Sequence, residues 1–385
     1  MKILIIRTFP DILNLNTYNV QEIGLAKALT MKGHVCDVVL YHGKNADKKE
    51  QYIFNHEEKE YQFNIYWLKG VGILKNGFMP SLKKIIPSYD VVQVHEYDQI
   101  TSWYLYTKQK KPTIIYHGPY YDAFAKGYNL KCKVFDTFFL PRRNISKVVA
   151  VTKSKLATDF LSEKGFKNII TAGVGINLEN FGEYVEEKQL QQSEKNSILY
   201  VGKLEERRNV YFLIDVFREL YKRNRNTRLV LIGNGDKGYK EDFLKYIENE
   251  VNEGSIIYKE KASQKELISY YREASVFLLP SYYEIFGMVL LEAMYFGVPV
   301  VSSINGGSTT LIENKCNGFI LKEFDKYEWV DCIQNIMLNE KLCNKIRVGA
   351  RRTIQLGYTW EALTDKFLEA YELAITNFER NRNEL

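Results

Sequence analysis

A chain of 385 residues is long for one hydrophobic core and suits two domains of ordinary size. Its 45% hydrophobic and 26% charged residues are those of a soluble globular protein; no uninterrupted apolar run reaches a membrane span, and Met1-Lys2-Ile3-Leu4-Ile5-Ile6-Arg7 is too short for a signal peptide. Five cysteines, odd in number and without a close CxxC pair, point away from a disulfide framework or a zinc site and toward a reduced, cytoplasmic protein.

The first 175 residues alternate short β-rich runs with helical patterns. Strands are expected at Ile3–Ile6, Val35–Tyr41, Tyr61–Leu68, Val91–His95, Thr113–Tyr116 and Val148–Val151, with a helix near Val20–Lys32. Such alternation is the pattern of a parallel sheet with crossover helices. Charge is unevenly spread. The segment 101–150 holds nine basic residues (Lys108, Lys110, Lys111, Lys126, Lys131, Lys133, Arg142, Arg143, Lys147) against two acidic ones (Asp122, Asp136), together with Phe135, Phe138, Phe139 and Leu140. Two readings fit that segment: a surface for an anionic membrane or lipid-linked substrate, or a solvated basic face around a core helix. Nucleic acid fits poorly, because no helix-turn-helix, zinc-finger or RNA-binding signature accompanies the charge.

A polar stretch from Asn177 to Asn196 reads as an interdomain connection, after which the pattern restarts. Strands are expected at Ile198–Val201, Arg228–Ile232, Ile256–Tyr258, Val276–Leu279 and Val298–Ser302, with helices near Val210–Arg223, Glu241–Val251 and Lys265–Glu273. Ligands of open parallel sheets bind at the carboxyl ends of strands, so the loops there should carry the chemistry. Lys203 and Arg208 follow the strand that ends in Val201-Gly202 and could hold a diphosphate, the arginine through two parallel bonds. Gly233-Asn234-Gly235 ends the next strand as a close approach or a tight turn. Asn305-Gly306-Gly307-Ser308 is expected to add donor amides.

The densest signal is Pro280-Ser281-Tyr282-Tyr283-Glu284-Ile285-Phe286-Gly287-Met288-Val289-Leu290-Leu291-Glu292-Ala293-Met294. It sets two carboxylates across a Phe-Gly break that opens an apolar helical run. Taken singly, Glu284 could be a solvated loop acid and Glu292 an ordinary helix acid. A charge inside the run Met288–Met294, however, is costly unless something polar meets it.

These residues together resemble the retaining glycosyltransferases of GT-B architecture, family 4 (glycosyl transferases group 1). The similarity runs over nearly the whole chain. The carriers are the E-x7-E pair Glu284 and Glu292, Gly202-Lys203-Leu204 with Arg208, Gly33-His34-Val35, and Tyr116-His117-Gly118. The resemblance implies an α/β fold of two Rossmann-like domains whose parallel sheets face each other across a cleft: 1–175 for the acceptor, 176–357 for the nucleotide-sugar donor, and a helix from 358 crossing back. It implies that Glu284 bonds donor-sugar hydroxyls, Glu292 the ribose, and Lys203 with Arg208 the leaving diphosphate. Gly202, Gly233, Phe286, Gly287, Met288 and Val289 would line the donor site, and His117 would face the transferred sugar from the other domain. Asn16-Thr17 stands where the family has Gly-Gly, so those two residues mark the acceptor-side loop; Thr310 and Glu260 are further departures.

The activity so implied moves a hexose from a nucleoside diphosphate sugar, UDP-linked, to a lipid-linked or saccharide acceptor with retention. It needs no metal and no cofactor beyond the nucleotide sugar, and no D-x-D triplet occurs. Surface polysaccharide assembly at the inner face of the cell membrane is the matching setting. A catalytically silent scaffold that partners an active transferase is the alternative, motivated by the missing glycines. A dehydrogenase fits less well, because no G-x-G-x-x-G follows the first strand.

Overall fold

The structure, a computed structural model, describes residues 1–17, 19–73, 75–108, 111–140, 145–181 and 196–383. Most of the expected connection lies outside them. The chain divides into two compact units, Met1–Gly175 with Trp360–Leu385, and Ile176–Thr359.

In the first unit the strands are β1 (Lys2–Ile6), β2 (Val35–Tyr41), β3 (Lys48–His56), β4 (Lys59–Leu68), the short ribbon β5 (Val71–Ile73) and β6 (Asn76–Phe78), β7 (Val91–His95), β8 (Thr113–His117), β9 (Val149–Thr152) and β10 (Asn168–Thr171). Eight of them form one sheet in the order β10-β9-β8-β7-β1-β2-β4-β3, parallel throughout except for β3 against β4. The central strands β1 and β7 are buried over nearly their whole length, as a sheet covered on both faces requires. β3 and β10 were not expected. β3 is an edge strand whose outer face is charged, so its apolar signal is thin. The helix Trp360–Asn383 belongs to this unit: Phe367 packs edge-on against Tyr116, and the Tyr371 hydroxyl donates to Gln93 Oε1 at 2.6 Å.

The second unit holds β11 (Asn196–Val201), β12 (Thr227–Ile232), β13 (Ile256–Lys259), β14 (Val276–Leu279), β15 (Val300–Ser303) and β16 (Phe319–Leu321) in one all-parallel sheet, ordered β13-β12-β11-β14-β15-β16. One face is filled by the helix Val210–Arg223 through Leu213, Ile214 and Phe217, and by Trp329 and Ile333 from the helix Lys326–Leu338. The expected helix Glu241–Val251 is two helices, Lys237–Tyr246 and Glu248–Asn252, broken at Ile247.

Both sheets reverse their winding once, between β1 and β7 and between β11 and β14. Chains leave a parallel sheet in opposite directions at such a point and open a crevice beyond the carboxyl ends of the two strands. The two-sheet α/β expectation is borne out.

Candidate functional site

In the second unit the crevice lies between the loop after β11 and the loop after β14. The first loop runs through Gly202, the exposed Lys203 and a turn that puts Asn209 in the left-handed region (φ 53°) before the helix Val210–Arg223. That turn directs Arg207 and Arg208 toward the second loop. Glu284, only 6% exposed, is ion-paired with Arg208 and lies 3.9 Å from Arg207. Glu205 closes the cluster at 2.6 Å from Arg207 and 3.5 Å from Arg208. Burial is the main influence on the Arg208 guanidinium and lowers its pKa, yet an arginine stays charged at any physiological pH. Backbone ties fix the two loops: Tyr282 N–H donates to Arg207 O, and Arg207 Nη1 to Tyr283 O, both at 2.9 Å.

Past Glu284 the chain turns at Gly287 (φ 75°) into the helix Met288–Tyr295. Phe286 is buried, while Met288 and Val289 are half-buried at the first turn, where backbone N–H groups have no intrahelical acceptor. Glu292 is 4% exposed in the middle of this helix and accepts a hydrogen bond from the Tyr271 hydroxyl at 2.8 Å. The polar partner that the sequence demanded is therefore a tyrosine on the helix Gln264–Glu273.

One sequence expectation needs correction. The Asn305–Ser308 loop does not offer amides to a ligand, because its donors are already used. Gly306 N–H bonds Glu284 O at 3.0 Å, and Gly307 and Ser308 N–H both bond Asn305 Oδ1 at 3.0 Å. Its glycines instead allow close packing: a Cβ on Gly307 would stand 1.8 Å from Phe286 O, so this loop braces the acid loop from behind. Gly233 has a similar role, with Gly202 O 1.8 Å from where its Cβ would be. Lys203 makes no ion pair among the described residues, whereas Arg207, which the sequence reading passed over, joins Arg208 beside Glu284. Of the departures from the family pattern, Glu260 is held by Asn234 (2.8 Å) and Lys240 (3.4 Å), and the Thr310 hydroxyl donates to Gly306 O at 2.7 Å.

In the first unit the carboxyl ends of β7, β8 and β9 gather a second set of charges. His117 is fully buried, stacked on Phe160 (ring centroids 5.4 Å apart) with Tyr97 edge-on, and its Nδ1 lies 2.5 Å from Glu96 Oε2. Glu96 has a left-handed backbone (φ 56°), which aims its side chain back at β8. Burial alone would raise its pKa, but the charges of His117, Lys153 and His95 and the bond to His117 prevail and hold it down to about 2. His95 Nε2 lies 3.5 Å from Glu22, which Arg7 also approaches at 3.4 Å; burial takes the His95 pKa down to about 4. The structure thus sets His117 beneath the surface. Asn16 and Thr17 are exposed in a turn organised by Asn14, with Asn16 N–H bonded to Asn14 Oδ1 (2.9 Å) and the Thr17 hydroxyl to Asn14 O (2.7 Å).

The basic segment also differs from expectation. Phe135 and Leu140 are buried and Phe139 is half-buried. The exposed apolar residues of the helix Lys126–Phe139 are Leu130, Val134 and Phe138, at 50 to 68% exposure. They share a face with the exposed Lys126 and Lys133. Neither acid lies on it: Asp136 binds Lys164 and the Tyr97 hydroxyl, and Asp122 caps Phe124 N–H. Lys110, Arg142 and Arg143 lie outside the described residues. Among the described residues no helix is long and apolar enough to cross a membrane.

Two parallel α/β units, each with a crevice at its winding reversal, define the GT-B fold. Residues 183–353 match the family model described as glycosyl transferases group 1. The chain is 32% identical over 114 residues to a D-inositol 3-phosphate glycosyltransferase of Saccharomonospora viridis, covering 30% of this chain and 26% of that one. It is 24% identical over 233 residues to the capsular polysaccharide biosynthesis glycosyltransferase CapM of Staphylococcus aureus, covering 57% of this chain and 60% of CapM. Among solved structures it is similar to Anabaena HepE in complex with UDP and glucose, with TM-score 0.64 and 14% identity over 97% of this chain and 99% of that one. The matches to these two curated relatives span from about a quarter to three-fifths of their length.

Proposed function

We propose that this chain is a glycosyltransferase that moves a hexose from a nucleoside diphosphate sugar, UDP-linked, to a lipid-linked or saccharide hydroxyl with retention of configuration, in the assembly of surface polysaccharide. The observation that carries the proposal is the pairing of Arg208 with Glu284 at the winding reversal of the second sheet, next to the amino terminus of the helix Met288–Tyr295. Departure of a nucleoside diphosphate places negative charge on a phosphate oxygen. Two guanidinium groups and a helix amino terminus can meet that charge, so the reading calls on no metal. On donor binding Arg208 and Arg207 turn to the diphosphate and Glu284 is released to the sugar hydroxyls. Glu292 takes the ribose diol. With the phosphate accepting the acceptor's proton on the same face, no carboxylate nucleophile is required and configuration is kept. His117, buried and paired with Glu96, supports the acceptor side from beneath its surface. The names of CapM and of the UDP-bound HepE complex are consistent with a sugar nucleotide and a polysaccharide product.

The setting proposed is the cytoplasmic face of the cell membrane, with the chain held peripherally through the Leu130, Val134 and Phe138 face and its lysines. Apolar side chains beside cations with no acid among them suit an anionic lipid surface, and all five cysteines are free. Isothermal titration of UDP into the purified chain tests the donor half: saturable binding weakened in Arg208→Ala is expected, and absence of binding would remove the proposal. Flotation with anionic vesicles at low and high salt tests the membrane half; equal flotation with neutral vesicles would remove its electrostatic part.

A further inference from the structure

We propose that Tyr271 is a positioning residue for nucleoside recognition, its hydroxyl holding the Glu292 carboxylate in the orientation that meets the ribose diol. The inference rests on the donor-site reading above and extends it to an uncharged side chain on a different helix.

Glu292 sits in an apolar run, and its environment supplies the Tyr271 hydroxyl at 2.8 Å, from a residue 21 positions earlier in the chain. The tyrosine is itself held on two sides. Its ring stacks on Phe296, just past the end of the Glu292 helix (centroids 5.5 Å, planes 9° apart), and Phe277 of β14 lies 6.1 Å away. With 1% of its surface exposed, the phenol has no room to swing. A carboxylate in such surroundings keeps its charge only when hydrogen-bonded. The kind of donor matters as well. A phenol O–H bonds one carboxylate oxygen and brings no charge of its own to compete with the ligand. An oriented carboxylate is the acceptor that two ribose hydroxyls need, and ordering it in advance removes a cost from binding. A site built this way also rejects a sugar without those hydroxyls, since the buried acceptor is then left unpaired.

The test is titration of the full chain with UDP and with 2′,3′-dideoxyuridine diphosphate, in wild type, Tyr271→Phe, Glu292→Ala and the double variant. Wild type should prefer UDP. Tyr271→Phe removes one oxygen and keeps the ring packing; it should weaken UDP by about tenfold and the dideoxy compound by less than about twofold, closing the gap between them. In the Glu292→Ala background the same substitution should leave the UDP-to-dideoxy ratio unchanged. Equal weakening of both ligands by Tyr271→Phe would mean a packing role and overturn the proposal. So would a wild type that binds UDP without discriminating the dideoxy compound, a result that leaves the donor-site reading standing. A wild type that binds neither compound defeats the donor-site reading first, and this inference with it. Should Tyr271→Phe fail to fold, the ratio in Glu292→Gln decides: the amide has one acceptor oxygen in place of two and cannot take both ribose hydroxyls, so an unchanged ratio overturns the proposal.

Discussion

The two units place their charges at the same topological position, beyond a winding reversal, yet with different chemistry. The second unit puts arginines there, which stay charged at any physiological pH, and balances them with Glu205 and Glu284. The first unit gathers histidines, a lysine and carboxylates beside Arg7, with His95 and Glu96 displaced from their ordinary titration ranges. Permanent cations suit a diphosphate that arrives charged and leaves charged. Titratable groups suit hydroxyls and protons. The same backbone plan therefore carries a strong anion grip in one unit and a proton-sensitive cluster in the other.

The sharpest break in that contrast is Glu284→Gln. It keeps the side chain's shape while removing the charge that holds Arg208, and the expected result is a loss of transfer by about 10² to 10³ in kcat with UDP affinity changed by only a few fold. Gly307→Ala tests the brace behind Glu284. Its Cβ has nowhere to go but into Phe286 O, and unfolding by denaturant should show a loss of about 3 kcal/mol.

The first unit should respond to mild acid through its buried histidine. His95 is held neutral down to about pH 4, so as pH falls below 6.5 the unfolded chain takes up a proton that the folded chain refuses. Stability is full above that range and lost on the way down, by about 2 kcal/mol between pH 7 and 5. Glu96, held at about 2, adds a further loss between pH 4.5 and 2, because its contribution is present only while it is ionised. Denaturant melts at pH 7 and 5 should show the first limb in wild type and a flatter one in His95→Gln. The smallest effect expected is at the surface: Leu130→Ser with Phe138→Ser should lower partition to anionic vesicles by about tenfold and leave UDP binding unchanged.

Much of the second unit could be read from the sequence, for local reasons. Glu284, Gly287 and Glu292 lie within one strand–loop–helix segment, where periodicity and a single glycine announce the geometry. Lys203 and Arg208 were equally plausible from spacing. Only the turn through Asn209 decides that Arg207 and Arg208, rather than Lys203, reach Glu284. The Gly306-Gly307 loop misled because glycine permits both ligand approach and backbone packing, and the choice depends on what lies opposite. Tyr271 carries no local signature, since its partner is on another helix. In the first unit Glu96 was hidden for a similar reason: an acid directly after a buried strand is a clue, but its pairing with His117 depends on a left-handed backbone and on β8 lying beside β7. β3 escaped because a charged edge strand lacks the apolar alternation that marks a strand.

The central claim is that Arg208 carries the charge of a departing nucleoside diphosphate. Incubating the purified chain with a panel of nucleoside diphosphate sugars and measuring nucleoside diphosphate release, in wild type and in Arg208→Ala, tests it most directly. The account predicts that wild type consumes at least one donor and that Arg208→Ala slows its release by about 100-fold or more. Release that proceeds equally in both proteins, or a wild type that consumes no donor, would contradict it.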